Sequence, residues 1–489
     1  MDRPNNLGAL KASGYRSRSV REEIRENLRE ALRGGSELFP GVIGYEKTVV
    51  PQIVNAILSR HNFILLGLRG QAKTRLLRGL IRFLDEAIPA VDGSEIRDDP
   101  LAPIGADAHR LLAEAGDDLP IRWIEREERY VEKLATPDVT ISDLIGDIDP
   151  IKAANRKLDF ADPEVIHYGV IPRANRGLFA INELPDLAPR IQVGLLNILE
   201  EGDIQIRGFP VRLPLDLLMV FSANPEDYTN RGNIITPLKD RIESQIQTHY
   251  PQDLEHAVAI TRQEAWTDRD DPGVPLPDFF RDVVEELAFE ARKSEYVDQN
   301  SGVSARVTIS SLENLVSNAE RRALVLGEDH ANPRLCDLGS VLPAITGKIE
   351  LVYEGEQEGT TAVARFITGK AVKNVFARRF PEAVKLEADK DRDDTPFRKV
   401  IDWFSGSNQV VVSDEMPTAE YLEALRSVDG LEDLVRGHGA PKDEAEVGPL
   451  MELVLEGLHQ FSMIAREDLE GGFLQYGDLL GNMLSQLES

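Results

Sequence analysis

The chain carries a single cysteine, Cys336, so it can form no intramolecular disulfide, and a reducing compartment fits it. It has no uninterrupted apolar run long enough for a bilayer, and its first residues lack the apolar stretch of a secretory signal. No membrane association is expected, and the cytoplasm is the expected address. A basic surplus is also missing. Lys and Arg number 56 against 84 Asp and Glu, a formal charge of −28, which argues against a general nucleic-acid binder because no excess cation neutralises phosphates. The acidic excess reads as solubility, or as a surface complementary to a basic partner. The eight histidines are scattered with no pair at ligand spacing, so a protein-held metal cluster is not expected. No Ser-His-Asp order stands out.

What is present describes a soluble globular protein: 42% hydrophobic and 29% charged residues in 489, enough for two or three cores. The most informative stretch runs from Phe63 through Ile-Leu-Leu to Gly67, then Gly70, Gln71, Ala72, Lys73 and Thr74. A short apolar strand ends in a glycine-containing turn and opens into helix spacing at Leu76, Leu77, Leu80, Ile81, Leu84 and Ile88, closed by Pro89. That order suits a nucleoside triphosphate. Loop N–H groups cradle phosphates, the lysine reaches the outer ones, and the threonine hydroxyl ligates Mg²⁺. One residue departs from the G-x-x-x-x-G-K-[ST] pattern, Ala72 in place of the second glycine.

Around this stretch the chain reads in order. A charged helix over Ser19–Leu32 is a docking arm or a surface helix, and Leu38–Tyr45 is an apolar turn that could fold over a purine. Val49–Leu58 has helix spacing, whereas residues 90–128 read as an acidic surface excursion broken by prolines. A second apolar strand closes on Asn182-Glu183, where an ATPase of this kind carries Asp-Glu. The glutamate polarises water, and the residue before it stands beside the magnesium shell. With Asn182 there, contact with the metal is expected through water and without charge, and Asp186 is the nearest carboxylate by sequence that could replace it. A third buried strand, Leu215–Val220, runs into Asn224-Pro225, whose amide could orient the lytic water. Arg241 follows at a spacing suited to a subunit edge, although a Lys-Asp-Arg run by itself is usually solvated surface.

This ordered set resembles the AAA+ ATPases of the magnesium-chelatase I-subunit and MoxR-like type. The most specific part is the run Leu144-Ile-Gly-Asp-Ile-Asp149, then Gly169 through Ala174-Asn175-Arg176-Gly177 to Asn182-Glu183. The resemblance implies an α/β P-loop core, a parallel sheet flanked by helices, followed by an α-helical lid and a helical C-terminal region. Expected boundaries are a helical arm over 1–35, the core with its helix-2 insertion over 36–250, the lid over 251–370 and an acidic helical region over 371–489. It implies ATP with Mg²⁺ bound by Val42, Ile43, Tyr45, Gly67, Gly70, Gln71, Ala72, Lys73 and Thr74. Glu183 is the water-activating residue, Asn224 the first sensor, Arg241 an arginine finger and Arg306 the second sensor. A homo-oligomeric ring, expected as a hexamer, would drive a partner with a von Willebrand A-type domain, either in metal chelation or in MoxR-type protein maturation. A nucleotide-sensing module with weak hydrolysis is the alternative, because Ala72 and Asn182 both depart from the pattern. Gly437–Glu446 reads as a linker before a last helical segment, Leu450–Leu487.

Overall fold

A computed structural model describes residues 3–156, 165–206, 212–224, 233–270, 273–383, 395–469 and 472–479. The chain divides into two compact units, Met1–His249 and Tyr250–Ser489. Among the described residues no helix is long and apolar enough to cross a membrane.

The first unit is organised by five strands: β1 (Phe63–Leu66), β2 (Tyr130–Leu134), β3 (Gly177–Asn182), β4 (Leu217–Ala223) and β5 (Ser244–Gln247). They pair in the order β5-β1-β4-β3-β2, every ladder parallel. Parallel strands buried on both faces need apolar side chains throughout, which is why the central strands read as unbroken apolar runs. Alternate residues serve opposite faces. Phe63, Leu65, Leu178, Ala180, Leu218 and Val220 pack with Leu76 and Leu77 of the helix Lys73–Gly79. Ile64, Phe179, Ile181, Met219 and Phe221 pack on the other side.

The N-terminal residues are part of this unit. Ser19 caps the helix Val20–Arg33, whose Val20, Ile24 and Leu28 are fully buried in the core shared with β1. From the same helix Glu23 accepts two hydrogen bonds from Arg129, at 2.6 and 2.7 Å, in a fully buried pair. The Ala-Asn-Arg-Gly block serves architecture here. Asn175 holds the Ile96 carbonyl (3.1 Å) and the Asp216 amide (2.9 Å), and Arg176 holds the Pro89 carbonyl (2.6 Å). A side chain at Gly177 would lie 2.2 Å from the Arg129 carbonyl.

Several expected spans end elsewhere. The helix after the phosphate loop stops at Gly79 and tightens to a 3₁₀ turn over Leu80–Phe83. Ile88 and Pro89 belong to a strand, Ala87–Val91, that pairs antiparallel with Ile121–Glu125. The excursion therefore carries its own sheet, and Val91, Ala108 and Leu119 form a small core there with Leu7.

In the second unit one core runs from Phe279 to Tyr476. The expected boundary at 370/371 falls inside the helix Thr360–Arg379, so lid and C-terminal residues pack as one body. Gly437–Glu446 is not a bare linker. Glu446 is buried, and Lys442 pairs with Asp278. After the helix Val447–Gln460 the expected helical segment gives way to strands. Ala465–Asp468 and Phe473–Gly477 pair antiparallel, and Val410–Ser413 completes that sheet. Residues 480–489 lie outside the described residues, and with them the end of the expected span.

Candidate functional site

The loop after β1 is shaped by close approaches. A Cβ at Gly67 would sit 1.9 Å from Thr248 Oγ1 and 2.1 Å from Gln71 Oε1, so only glycine fits. Those two atoms are themselves joined, Thr248 donating to Gln71 at 2.7 Å. The Gly67 amide donates to the Ala223 carbonyl at 3.1 Å, which ties the loop to the end of β4 one residue before Asn224. Gly70 turns at φ +74°, and Ala72 holds φ +55°, ψ +17° immediately before the helix. An L-residue in that left-handed region costs roughly 1–2 kcal/mol, so the methyl at position 72 carries a backbone cost that glycine would not. Lys73 is buried, and its ammonium donates to the carbonyls of Gly67 and, at 3.0 Å, Leu68. Thr74 is half-buried in the first turn.

Val42 and Tyr45 are buried and Ile43 partly so. The Tyr45 hydroxyl lies 3.0 Å from the Gln71 carbonyl and 2.7 Å from that of His249, and its ring meets His249 edge-on at 4.9 Å. Tyr45 is thus a strut that fixes the apolar turn to the phosphate loop.

Asn182 ends β3 and is buried. Its amide nitrogen donates to Glu132 Oε1 at 2.5 Å, and its oxygen accepts from Ser222 at 3.0 Å. Glu183 follows in the left-handed region, φ +54°, with its amide 3.4 Å from Ser222 Oγ. Asp186, the carboxylate nearest by sequence, is the last residue of a 3₁₀ turn, its backbone amide donating to the Glu183 carbonyl at 2.9 Å. The carboxylate that touches Asn182 is Glu132, on β2. Glu132 also binds Arg78 of the phosphate-loop helix at 2.8 and 3.3 Å, and through that hydrogen bond and its charge it raises the arginine's pKa.

Asn224 lies buried just beyond β4, and Pro225 lies outside the described residues. The structure therefore gathers Gly67, Gly70, Gln71, Ala72, Lys73 and Thr74 with the ends of β3 and β4 along one edge of the sheet. Arg241, at the end of the helix Thr236–Arg241, binds Glu200 at 2.6 Å and the Pro237 carbonyl at 3.0 Å. Arg306 belongs to the second unit, exposed in the first turn of the helix Ala305–Leu326. Reasoning along the sequence missed Thr248, Ser222, Glu132 and Arg78. Thr248 was open to discovery as the polar residue just after β5, beside the loop; the other three carry no motif.

The sheet order, the loop after β1 and the helical second unit define the class: a P-loop AAA+ fold. No family model matches the chain. Over 232 residues, 47% of its length, it is 27% identical to the magnesium-chelatase 38 kDa subunit of Cereibacter sphaeroides. Over 235 residues it is 25% identical to the subunit of the same name from Rhodobacter capsulatus. These matches span 64% and 61% of those proteins, less than two thirds of either. The resemblance to the magnesium-chelatase I-subunit type is borne out by that homology. A chain from the solved complex between magnesium-chelatase subunits BchI and BchD aligns over 98% of its length with 65% of this chain, at 20% identity and a TM-score of 0.35.

Proposed function

We propose that this chain binds ATP with Mg²⁺ and hydrolyses it as the motor subunit of a ring, in the manner of a magnesium-chelatase I subunit. The observation that carries the reading is the loop itself. Gly67 is packed where no side chain fits, and Lys73 is buried with its ammonium turned onto the carbonyls of the loop, where a phosphate would compete for it. The donor set suits a hydrated magnesium ion, with a hydroxyl from Thr74 and an amide oxygen from Asn182 acting through water. The ion would neutralise charge on the outer phosphates. Glu183 would polarise the attacking water and Asn224 would orient it. Val42, Ile43 and Tyr45 would face the base, and Arg306 would serve as second sensor. Arg241 would reach a neighbouring subunit's nucleotide, with Glu200 aiming it until then.

The test is ATP turnover and nucleotide binding of the parent beside Lys73→Ala and Glu183→Gln. Lys73→Ala is expected to lose binding, and Glu183→Gln to bind normally and turn over at least a hundredfold more slowly. A parent that binds ATP yet turns it over no faster than Glu183→Gln overturns the motor reading. That result would favour a nucleotide-sensing assembly module, a reading supported by the strained Ala72 and the uncharged Asn182. Affinity capture separates the possible clients. A porphyrin-binding large subunit favours chelation, and a separate von Willebrand A-domain protein favours MoxR-type maturation, with the cytoplasm as the compartment for both.

A further inference from the structure

We propose that Glu132 supplies the negative charge that Asn182 lacks, so that the acidic strand end of this ATPase is built as a transposed pair, carboxylate on β2 and amide on β3. The inference rests on the nucleotide reading given above and names a residue that the reading does not contain.

The geometry fixes the pair closely. In the parallel ladder Glu132 stands opposite Ala180, so its side chain shares a face with Asn182 two residues further along β3. That is the face covered by the phosphate-loop helix, against which Ala180 packs. A carboxylate only accepts hydrogen bonds, so the amide nitrogen of Asn182 must point at Glu132. Its oxygen is thereby turned toward Ser222, whose hydroxyl donates to it. Both ends of the amide are in use, and its orientation is settled by its neighbours.

The same contact explains why residue 182 is not an aspartate. A carboxylate there would stand about as far from Glu132 as the amide nitrogen does, 2.5 Å. Two carboxylates at that separation repel each other, and neither can donate the hydrogen bond that the amide nitrogen supplies. Besides Glu183, the strand end therefore accommodates one further carboxylate, and in this chain β2 provides it. A hydrogen bond to an ionised acceptor polarises the amide and strengthens its oxygen as an acceptor, so the charge is felt one bond away. Arg78 opposes it from the exposed side. Its side chain is 62% accessible against 22% for Glu132, so the counter-charge is solvent-screened and is not locked in place.

The experiment titrates Mg²⁺ against binding of a fluorescent ATP analogue by the full chain, with melting temperature followed in parallel. Glu132→Gln is expected to raise the Mg²⁺ concentration for half-maximal binding about tenfold. Arg78→Gln should lower it, because the opposing charge is gone; a role limited to packing gives no such change of sign. Asn182→Asp alone should melt earlier without tightening Mg²⁺ dependence. The double exchange Glu132→Gln with Asn182→Asp should bring both readouts back to within about threefold and a few degrees of the parent. An Asn182→Asp variant that tightens Mg²⁺ dependence with Glu132 in place overturns the proposal. So does a Glu132→Gln variant that folds and leaves the dependence unmoved. A parent that binds no nucleotide at any Mg²⁺ concentration overturns the ATPase reading together with this one.

Discussion

Substituting alanine at Gly67 is the sharpest way to probe the phosphate loop. The added methyl would meet Thr248 Oγ1 at 1.9 Å and Gln71 Oε1 at 2.1 Å, and those atoms share a 2.7 Å hydrogen bond. Gln71 can swing its flexible end away. Thr248 is β-branched, buried and tied through its amide to the Leu66 carbonyl at 2.8 Å, so it yields with difficulty. Overpacking of this kind costs about 1–3 kcal/mol. The lost hydrogen bond adds about 1 kcal/mol, for a total near 2–4 kcal/mol. Urea unfolding of the first unit reads this directly through Trp123, in a background with Trp266 and Trp403 replaced by phenylalanine. Adding Thr248→Ala should recover about 1–2 kcal/mol, since it removes the atom in closest conflict. Gly67→Ala that costs under about 0.5 kcal/mol, with no coupling to Thr248→Ala, would refute the view that loop shape is set by that contact.

The remaining predictions concern strain and buried charge. Ala72→Gly should stabilise the first unit by roughly 0.5–1 kcal/mol in the same assay, the relief at φ +55° exceeding the added chain entropy. Glu23→Gln or Arg129→Met alone should cost about 3–5 kcal/mol, because either leaves a buried partner unpaired, while removing both together should cost much less. In the second unit, burial pushes the Glu285 carboxyl up to about 7, against hydrogen bonds from Thr261 and Thr308 that lower it. The unfolded carboxyl releases its proton near 4.5, so between these values the folded state holds the extra proton and stability falls as pH rises. Glu452, buried in the same unit, is pushed up to about 7 as well, so raising pH from 6 to 8 should cost about 1.4 kcal/mol through each carboxyl, and Glu285→Gln should roughly halve the slope in a melting series.

The three inner strands of the sheet were legible because a parallel strand buried on both faces leaves an unbroken apolar run, whereas the edge strands Tyr130–Leu134 and Ser244–Gln247 carry polar residues and were not read. Phe63–Leu66 gives way to Gly67, Gly177–Asn182 ends on its own amide, and Leu217–Ala223 runs into Asn224. Ile88 misled because a residue at helix spacing can equally sit on a strand, and the chain had already left the helix at Gly79. The C-terminal strands were hidden for the opposite reason. Ala465-Arg-Glu-Asp468 is polar at a sheet edge and offers no apolar alternation to read. The helix Val447–Gln460 was recognisable, but Glu452 and Glu456 look like a solvated face and are buried. Glu452 accepts from Leu335, Cys336 and Tyr421, and Glu456 pairs with Arg466. Such partners come from distant segments, and amphipathic spacing carries no record of them.

The acidic strand end shows the same limit where chemistry depends on it. Reading along the chain from Asn182, the search for a missing carboxylate reaches Asp186, four residues on and within the same turn. Reading across the sheet, it reaches Glu132, fifty residues earlier and in hydrogen-bond contact. In a parallel sheet, strand neighbours are separated by a whole crossover, so the side chains that share a site's charge are those least connected in sequence. The departure at Asn182 then has a different meaning. Judged by position it is a lost aspartate and a weakened metal site. Judged by the pair it forms, the strand end keeps, besides Glu183, one carboxylate held against one amide, and adding an acid at 182 should harm the site that a motif comparison says it would repair.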